Sequence, residues 1–328
     1  MIDPPQFSDI ADAAAGLAGH AVRTPLLHCP AASDLCGGRV FIKPEMLQRT
    51  GSFKFRGAFN LISRLTPAQK SNGIIAYSSG NHAQAVAAVA RLLGMKATIV
   101  MPADAPQLKL TATRDHGAEI VLYDRFGESR EDIAAALMER TGATLVPPFD
   151  HPEIIAGQGT VGLEISEDLS VLSLKPDVVV VPCGGGGLIS GTSIAIKQAH
   201  EASAIYAAEP EGFDDTARSL VSGRRESVSD NARSLCDALL SPTPGEITFA
   251  VNRNNLAGGL VVSDDQALRA MAFAYRHLKL VVEPGGAVAL AAVLNGRVDC
   301  ADRTVVVVCS GGNVDPEVFQ KALTGSDE

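Results

Sequence analysis

The sequence of 328 residues has no excess of basic residues. Its 28 lysines and arginines are outnumbered by 37 aspartates and glutamates, which gives a formal net charge of −9 at pH 7. Proteins that hold nucleic acid or anionic membrane surfaces by charge carry positive patches. We therefore expect neither nucleic acid nor a membrane as a partner. With 20% charged and 46% hydrophobic residues, the chain is too apolar for a disordered protein and too charged for a polytopic membrane protein.

Long apolar runs and a secretory signal are also missing. The uncharged stretch 178–196 contains Pro182 and four glycines at 184–187, which interrupt a membrane-spanning helix. The first residues, Met1 to Pro5, do not form a basic segment followed by an apolar one. We therefore expect a cytoplasmic protein without a secretory leader.

The six cysteines form no CxxC pair, and no repeat or low-complexity segment is visible. Scattered cysteines in a cytoplasmic protein are typical of reduced thiols and not of a disulfide framework or a zinc site. We expect them to act as small apolar side chains. They lie at Cys29, Cys36, Cys183, Cys236, Cys300 and Cys309.

Short β-branched segments alternate with amphipathic stretches along most of the chain. Strands are predicted at 73–77, 96–100, 119–122, 144–146, 178–181, 204–208 and 304–309, and helices at 83–93, 108–116, 130–140, 265–278 and 286–294. Runs without alternation, such as 178–181, indicate strands buried on both faces of a parallel sheet. The pattern predicts an α/β fold with open, twisted, mostly parallel sheets and helices on both faces. The self-contained run 67–149 predicts a small mobile domain inserted between 1–66 and 150–328.

Three small polar loops follow predicted strands, at Gly184–Gly187, Ser78–His82 and Ser310–Asn313. A glycine loop that opens a helix brings backbone N–H groups close to a phosphate, although a tight strand–helix turn explains it too. The loop that ends in His82 suits a carboxylate at a helix N-terminus, with helix capping as the alternative. Because the carboxyl ends of parallel strands share one edge, we expect the three loops to converge there.

Lys54 lies between two aromatic residues, Phe53 and Phe55. An apolar setting disfavours the ammonium form and so favours a nucleophilic amine that can form a Schiff base. A solvated surface lysine is the alternative when this segment is considered alone.

Several motifs together resemble the fold type II pyridoxal-phosphate enzymes, which share the architecture of the tryptophan synthase β chain. Their order and spacing match the branch of threonine/serine dehydratases and serine racemases. The motifs are Ser52-Phe-Lys-Phe-Arg-Gly57, Ser78-Ser-Gly-Asn-His-Ala-Gln84, Ala156-Gly-Gln-Gly-Thr160, the glycines 184–187, Glu283-Pro284 and Ser310-Gly-Gly-Asn313. The resemblance covers nearly the whole chain and implies a large cofactor-binding domain formed by 1–66 and 150–328.

The resemblance also implies the cofactor, pyridoxal 5′-phosphate (PLP), and the residues that bind it. Lys54 would hold the cofactor covalently, with Phe53 beside the ring and Asn81 bonded to the phenolic oxygen. Gly184, Gly185, Gly186 and Gly187 with Leu188 would bind the phosphate. Ser310 would face the pyridine nitrogen. A hydroxyl there leaves this nitrogen largely unprotonated, a setting that favours β-elimination over transamination.

The reaction implied is a dehydration of the L-threonine or L-serine type, which yields a 2-oxo acid and ammonia. The substrate carboxylate would be held by Ser78, Ser79, Asn81 and His82, and Lys54 would remove the α-proton. Ser79 also resembles the racemase residue that works on the opposite face, so racemisation is an alternative.

Two further features bear on the identity of the substrate's side chain, which stays open. Arg130 resembles an arginine that reaches the substrate carboxylate, and such a residue also suits the second acidic group of 3-hydroxyaspartate. A solvated arginine at a helix start is the alternative. Ala238 stands where the family often has glycine, and the more apolar pocket would suit 3-phenylserine.

Glu209, the Phe213 carbonyl and Asp215 resemble the divalent-cation site of the same branch, with oxygen ligands that suit Mg²⁺ or Ca²⁺. Acidic capping of the following helix is the alternative.

A homodimer is expected from the resemblance. Two other function classes fit the sequence less well. A nucleotide-dependent oxidoreductase needs a glycine spacing that this chain lacks, and Lys54 argues against a non-catalytic binding protein.

Overall fold

The computed structural model describes residues 3–78, 80–105, 107–124 and 127–325, with residues 107 and 108 described by backbone alone. The strands are β1 (Leu27–His28), β2 (Arg39–Pro44), β3 (Ile74–Tyr77), β4 (Ala97–Pro102), β5 (Glu119–Tyr123), β6 (Thr144–Leu145), β7 (Val178–Pro182), β8 (Ala204–Pro210), β9 (Gly258–Val262) and β10 (Thr304–Cys309). The helices are α1 (Phe7–Leu17), α2 (Pro30–Cys36), α3 (Lys54–Ser63), α4 (Pro67–Asn72), α5 (Asn81–Leu92), α6 (Gln107–Asp115), α7 (Arg130–Thr141), α8 (Pro152–Val171), α9 (Gly187–Ala199), α10 (Asp215–Ser222), α11 (Glu246–Asn255), α12 (Asp264–Leu278), α13 (Pro284–Leu294) and α14 (Pro316–Thr324).

Two sheets organise these elements. One has six strands in the order β1-β2-β10-β7-β8-β9, and the other has four in the order β5-β4-β3-β6. Every pairing is parallel except β1 with β2. The expected α/β fold with mostly parallel sheets is confirmed. All strands of the second sheet lie between residues 74 and 145.

The centre of the larger sheet is buried on both faces. Val178, Val180, Val305 and Val307 pack into the hydrophobic cluster that contains α12 and α13. The alternate residues of the same strands, such as Val179 and Val306, pack into a second cluster with α8 and α9. Side chains alternate across a strand, so a continuous valine run supplies both clusters. This is why these strands show no polar alternation in the sequence.

The expectation that the three polar loops share one sheet edge needs a correction. The Gly184 and Ser310 loops follow β7 and β10 of the six-stranded sheet, whereas Ser78 follows β3 of the four-stranded sheet. The chain therefore brings the carboxyl ends of two different sheets together, because all three loops line one cavity.

Two other expectations concern cysteines and membrane spans. All six cysteines are free, and all except Cys36 are buried, as expected for small apolar side chains. Of the helices in the described ranges, none combines the length and the hydropathy that a membrane crossing requires.

Candidate active site

A cavity of about 380 Å³ lies where the two sheets meet. Nearly all predicted cofactor and substrate residues line it: Phe53, Lys54, Ser78, Asn81, His82, Arg130, Gly184, Gly185, Gly186, Gly187, Leu188 and Ser310. Ser79 lies outside the described residues. The predicted metal residues Glu209, Phe213 and Asp215 do not line the cavity.

Lys54 begins α3, and its loop is fastened to the end of β10. Ser52 forms a β-bridge with Gly311, and the Phe53 N–H donates to the Ser310 carbonyl oxygen at 3.1 Å. This places the lysine beside Ser310. The Lys54 amine donates to the Pro148 carbonyl oxygen at 2.7 Å and lies 5.1 Å from the centre of the Phe53 ring. Burial lowers the pKa of Lys54 to about 8, against the opposing charge of Glu283. About a tenth of this amine is therefore neutral and nucleophilic at pH 7.

Asn81 connects the cavity to a buried carboxyl group. Its Nδ2 donates to Glu283 Oε1 at 2.6 Å, and its Oδ1 accepts from Asn313 Nδ2 at 2.8 Å. Burial and the charge of Asp237 raise the pKa of Glu283 to about 8, so its protonated form is favoured near neutral pH. A side chain on Gly311 would collide with the Glu283 carboxyl oxygen. The glycine therefore lets Glu283 and Asn81 meet.

His82 acts here as a neutral, positioned group. Its Nε2 lies 2.8 Å from the Val146 carbonyl oxygen. Burial and the neighbouring Lys54 charge lower its pKa to about 3. Gly80 is the N-cap residue of α5, and its N–H donates to Ser78 Oγ at 3.2 Å. The first backbone N–H groups of α5 have no intrahelical acceptor and suit a carboxylate at this edge of the cavity.

The glycine loop is shaped by close packing. A side chain on Gly185 would enter the Phe149 ring, and one on Gly187 would lie 2.5 Å from Gln158 Oε1. Gly187 begins α9, and Gly186 adopts a left-handed φ of +95°. Only bare backbone fits here, so the N–H groups at the start of α9 are open to an anion in the cavity.

Two further cations line the cavity. Arg130 begins α7, lies 5.1 Å from the centre of the Tyr77 ring and donates to Glu131 Oε1 at 2.8 Å. Lys109 on α6 forms an ion pair with Asp237. This pair bridges the four-stranded-sheet region and the segment after α10, across 128 residues of sequence.

The predicted cation ligands lie at the start of α10. Glu209 is fully buried, and its two oxygens accept from the backbone N–H groups of Thr216 and Ala217 at 2.9 and 2.8 Å. Among the described residues, neither carboxyl oxygen of Asp215 finds a hydrogen-bond partner from another residue. The alternative of aspartate capping is therefore not supported, since Glu209 caps α10. No group of three or more His, Cys, Asp or Glu side chains suited to a metal occurs in the part of the chain that the structure describes.

Comparison with known proteins identifies the family. The profile of the family described as pyridoxal-phosphate dependent enzyme matches residues 17–311. The chain belongs to this family of PLP-dependent enzymes. It is 43% identical to L-threo-3-hydroxyaspartate ammonia-lyase of a Pseudomonas species, over 97% of this chain and 98% of that protein. It is 40% identical to L-threonine ammonia-lyase of Thermotoga maritima, over 97% and 78%. The structure of maize serine racemase superposes with a TM-score of 0.91 at 36% identity, over 98% and 97% of the two chains.

The residues present fit PLP. A half-buried lysine of lowered pKa, a glycine loop without room for side chains and a buried serine line the same cavity. In a PLP-dependent enzyme the lysine supplies an amine for the aldehyde, the glycine loop supplies N–H groups for the phosphate, and the serine supplies a hydroxyl for the ring nitrogen. Lys54, Gly184–Leu188 and Ser310 are the residues that would hold the cofactor.

Several residues of this PLP site were not singled out from the sequence. Pro148 and Phe149 position Lys54 and the glycine loop, and Lys109 lines the cavity. The Pro147-Pro148 break after a predicted strand was the available signal for the first two. Lys109 carries no local signal, because its role depends on a contact 128 residues away.

Proposed function

We propose that this protein is a PLP-dependent ammonia-lyase, which converts a 3-hydroxy amino acid to a 2-oxo acid and ammonia by β-elimination. The observation that carries the proposal is the half-buried Lys54 amine, with its pKa lowered to about 8, in one cavity with the glycine loop and Ser310. The relatives named as ammonia-lyases support the same reaction class.

When bound, the cofactor would make the α-proton of a bound amino acid more acidic. Within the described ranges, two lysines line the cavity, Lys54 and Lys109. The lowered pKa of Lys54 suits it to accept that proton. Ser78 and the start of α5 hold the α-carboxylate in this proposal. His82 stays neutral and orients the loop through its contact with the Val146 carbonyl oxygen. Ser79 remains a predicted substrate-binding and racemising residue.

We propose L-threo-3-hydroxyaspartate as the preferred substrate. Two cations, Arg130 and Lys109, line the cavity in addition to Lys54. Both are held by carboxylates, Glu131 and Asp237. A substrate with a second carboxylate can replace one of these partners, which serine or threonine cannot do. The relative from Pseudomonas is named for this substrate.

A divalent cation, Mg²⁺ or Ca²⁺, is proposed at Glu209, Asp215 and the Phe213 carbonyl. Burial and mutual charge raise the pKa of Glu209 to about 8, and burial raises that of Asp215 to about 7. Two adjacent buried carboxyl groups favour a bound cation. The two unpartnered oxygens of Asp215 are available as its ligands.

Three broader features stay predictions: the domain division and the cytoplasmic location come from the sequence pattern, and the homodimer comes from the family resemblance. Residues 67–149 form a small domain that moves against 1–66 and 150–328, and two copies of the chain form a homodimer. A cytoplasmic location is supported by the free cysteines, because reduced thiols are typical of that compartment. Size measurement by light scattering tests the dimer.

The test of the proposed reaction is 2-oxo acid formation by the holoenzyme. Each stereoisomer of 3-hydroxyaspartate, serine, threonine and 3-phenylserine is assayed separately. We expect the highest kcat/KM with L-threo-3-hydroxyaspartate. Preference for 3-phenylserine would instead assign the pocket at Ala238 to an aromatic ring. Absence of 2-oxo acid from all of them, with the D-isomer of a substrate appearing, would replace the lyase by the serine racemase activity found among the relatives.

A further inference from the structure

The carbonyl oxygen of Gly185 points away from the cavity toward α11. It accepts a hydrogen bond from Thr248 Oγ1 at 2.7 Å and another from the Gly245 N–H at 3.2 Å. Thr248 is fully buried and does not line the cavity, whereas Gly185 and Gly186 do. The threonine therefore contacts the loop from behind.

This contact determines where the next N–H group points. The peptide bond is planar and trans, so a carbonyl oxygen and the following N–H point in opposite directions. With the Gly185 oxygen bonded to Thr248, the Gly186 N–H is directed away from α11, toward the cavity side of the loop. The left-handed Gly186 then starts the turn that leads into α9, which gives successive N–H groups on one side.

Asp150 fixes α11 in place. The two carboxylate oxygens of Asp150 accept from the backbone N–H groups of Glu246, Ile247 and Thr248 at 2.8, 3.0 and 3.2 Å. Asp150 lies two residues after Pro148, whose carbonyl oxygen accepts from Lys54. One short segment therefore positions both the lysine and the glycine loop.

A second buried group lies against the same loop. Asn252 is one turn after Thr248 and fully buried, and its Oδ1 accepts from Ser190 Oγ at 2.9 Å. Within the described residues, its Nδ2 has no hydrogen-bond partner. That nitrogen lies 3.0 Å from the place where a Cβ on Gly186 would stand. Asn252 does not line the cavity, so it contacts the loop from the same side as Thr248.

We propose that Thr248 is a positioning residue for the cofactor phosphate. Its hydroxyl holds the Gly185–Gly186 peptide in the orientation that directs the Gly186 N–H at the phosphate. The proposal rests on the PLP site and not on the identity of the substrate. A residue that only fills the core would have no such role toward the phosphate.

The test compares two ligands that differ only in the phosphate. Apoenzyme is titrated with PLP and with pyridoxal, and the dissociation constants are measured by fluorescence for the wild type, Thr248→Val and Thr248→Ser. We expect Thr248→Val to weaken PLP binding at least about tenfold and pyridoxal binding less than about twofold, because the lost contact serves the phosphate alone. Thr248→Ser, which keeps the hydroxyl, restores PLP binding.

A matched control is Thr192→Val on α9. Thr192 is also fully buried, and its hydroxyl has no hydrogen-bond partner in the described part of the chain. This variant should therefore leave the ratio of the PLP and pyridoxal dissociation constants unchanged. Equal weakening of both ligands by Thr248→Val, or no weakening, would overturn the proposal. If Thr248→Val does not fold, Thr248→Ala is measured in the same way. The titration contains no substrate, so its outcome is independent of the proposed lyase reaction.

Discussion

The side-chain amine of Lys54 donates a 2.7 Å hydrogen bond to the carbonyl oxygen of Pro148. Pro148 lies between β6, at the edge of the four-stranded sheet, and α8. The lysine that begins α3 is thus oriented by the segment that leaves the other sheet. For Lys54 to react with an aldehyde, this bond has to break, and the burial that lowers its pKa to about 8 provides the neutral amine.

The first prediction concerns that lysine. After borohydride reduction of the holoenzyme, we expect the mass of the cofactor on the peptide that contains Lys54. In Lys54→Ala, no cofactor-modified peptide forms and turnover falls at least about a thousandfold, since both the attachment point and the base are lost. Peptide mass spectrometry measures this. Lys70→Ala is the control, because the Lys70 amine donates to the Ser63 carbonyl oxygen and does not line the cavity. A modified peptide elsewhere in the chain would contradict the assignment of Lys54.

The second prediction concerns the cation that meets the second carboxylate. In Arg130→Met, we expect the ratio of kcat/KM for L-threo-3-hydroxyaspartate over L-serine to fall about tenfold to a hundredfold, because a charged hydrogen bond is lost with one substrate only. Arg140→Met, an exposed residue in the last turn of the same helix, leaves the ratio unchanged. An equal fall for both substrates would mean that Arg130 binds the α-carboxylate.

The third prediction is the pH dependence of stability around the proposed cation. The pKa values of Glu209 and Asp215 rise from 4.5 and 3.8 to about 8 and about 7 in the folded chain. As the pH rises through this window, the unfolded chain releases protons first, so stability is lost. In the presence of a chelator, the melting temperature should therefore fall as the pH rises from about 5 to about 8.

Added Mg²⁺ or Ca²⁺ should reverse most of that fall at about pH 8, because a cation binds the deprotonated carboxylates. Asp215→Asn should abolish this response to the cation. A melting temperature that is independent of both cations at that pH would rule out the site.

The fourth prediction compares a buried and an exposed ion pair. Arg56 is buried and bonds Glu45 and Glu164 at 2.7 Å each. Arg56→Met leaves Glu45 buried without its charge partner and should lower the free energy of unfolding by about 3–5 kcal/mol. Arg64→Met breaks the exposed pair with Glu153 and should cost less than about 1 kcal/mol. Urea unfolding of the apoenzyme measures both, and equal losses would contradict the assigned role of burial.

The sequence predicted those parts of the fold whose signal is local. The valine runs of β7 and β10 and the polar loops that follow them are continuous segments, and both lie where the pattern placed them. β2 was not predicted, because Lys43 in it is a charged residue. Its burial depends on Glu164, whose Oε2 accepts from the lysine at 2.6 Å across 121 residues. Such a pair is visible only in three dimensions.

The candidate site shows the same division. Lys54, the glycine loop and Ser310 were found through short motifs next to strand ends. The partners that tune them, such as Pro148 and Glu283 for Lys54, come from distant segments. Thr248 lies in a helix that was not predicted, and its hydroxyl meets the loop 63 residues away. Sequence patterns therefore found the reactive groups, and the fold was needed to find what orients them.

A single reaction of the holoenzyme with L-threo-3-hydroxyaspartate distinguishes β-elimination from racemisation. Ammonia, 2-oxo acid and the stereochemistry of the remaining substrate are determined together. We expect one ammonia for each 2-oxo acid formed and no such products with Lys54→Ala. An inverted substrate without ammonia or 2-oxo acid would contradict the proposed lyase reaction, because Lys54 would then move the α-proton without β-elimination.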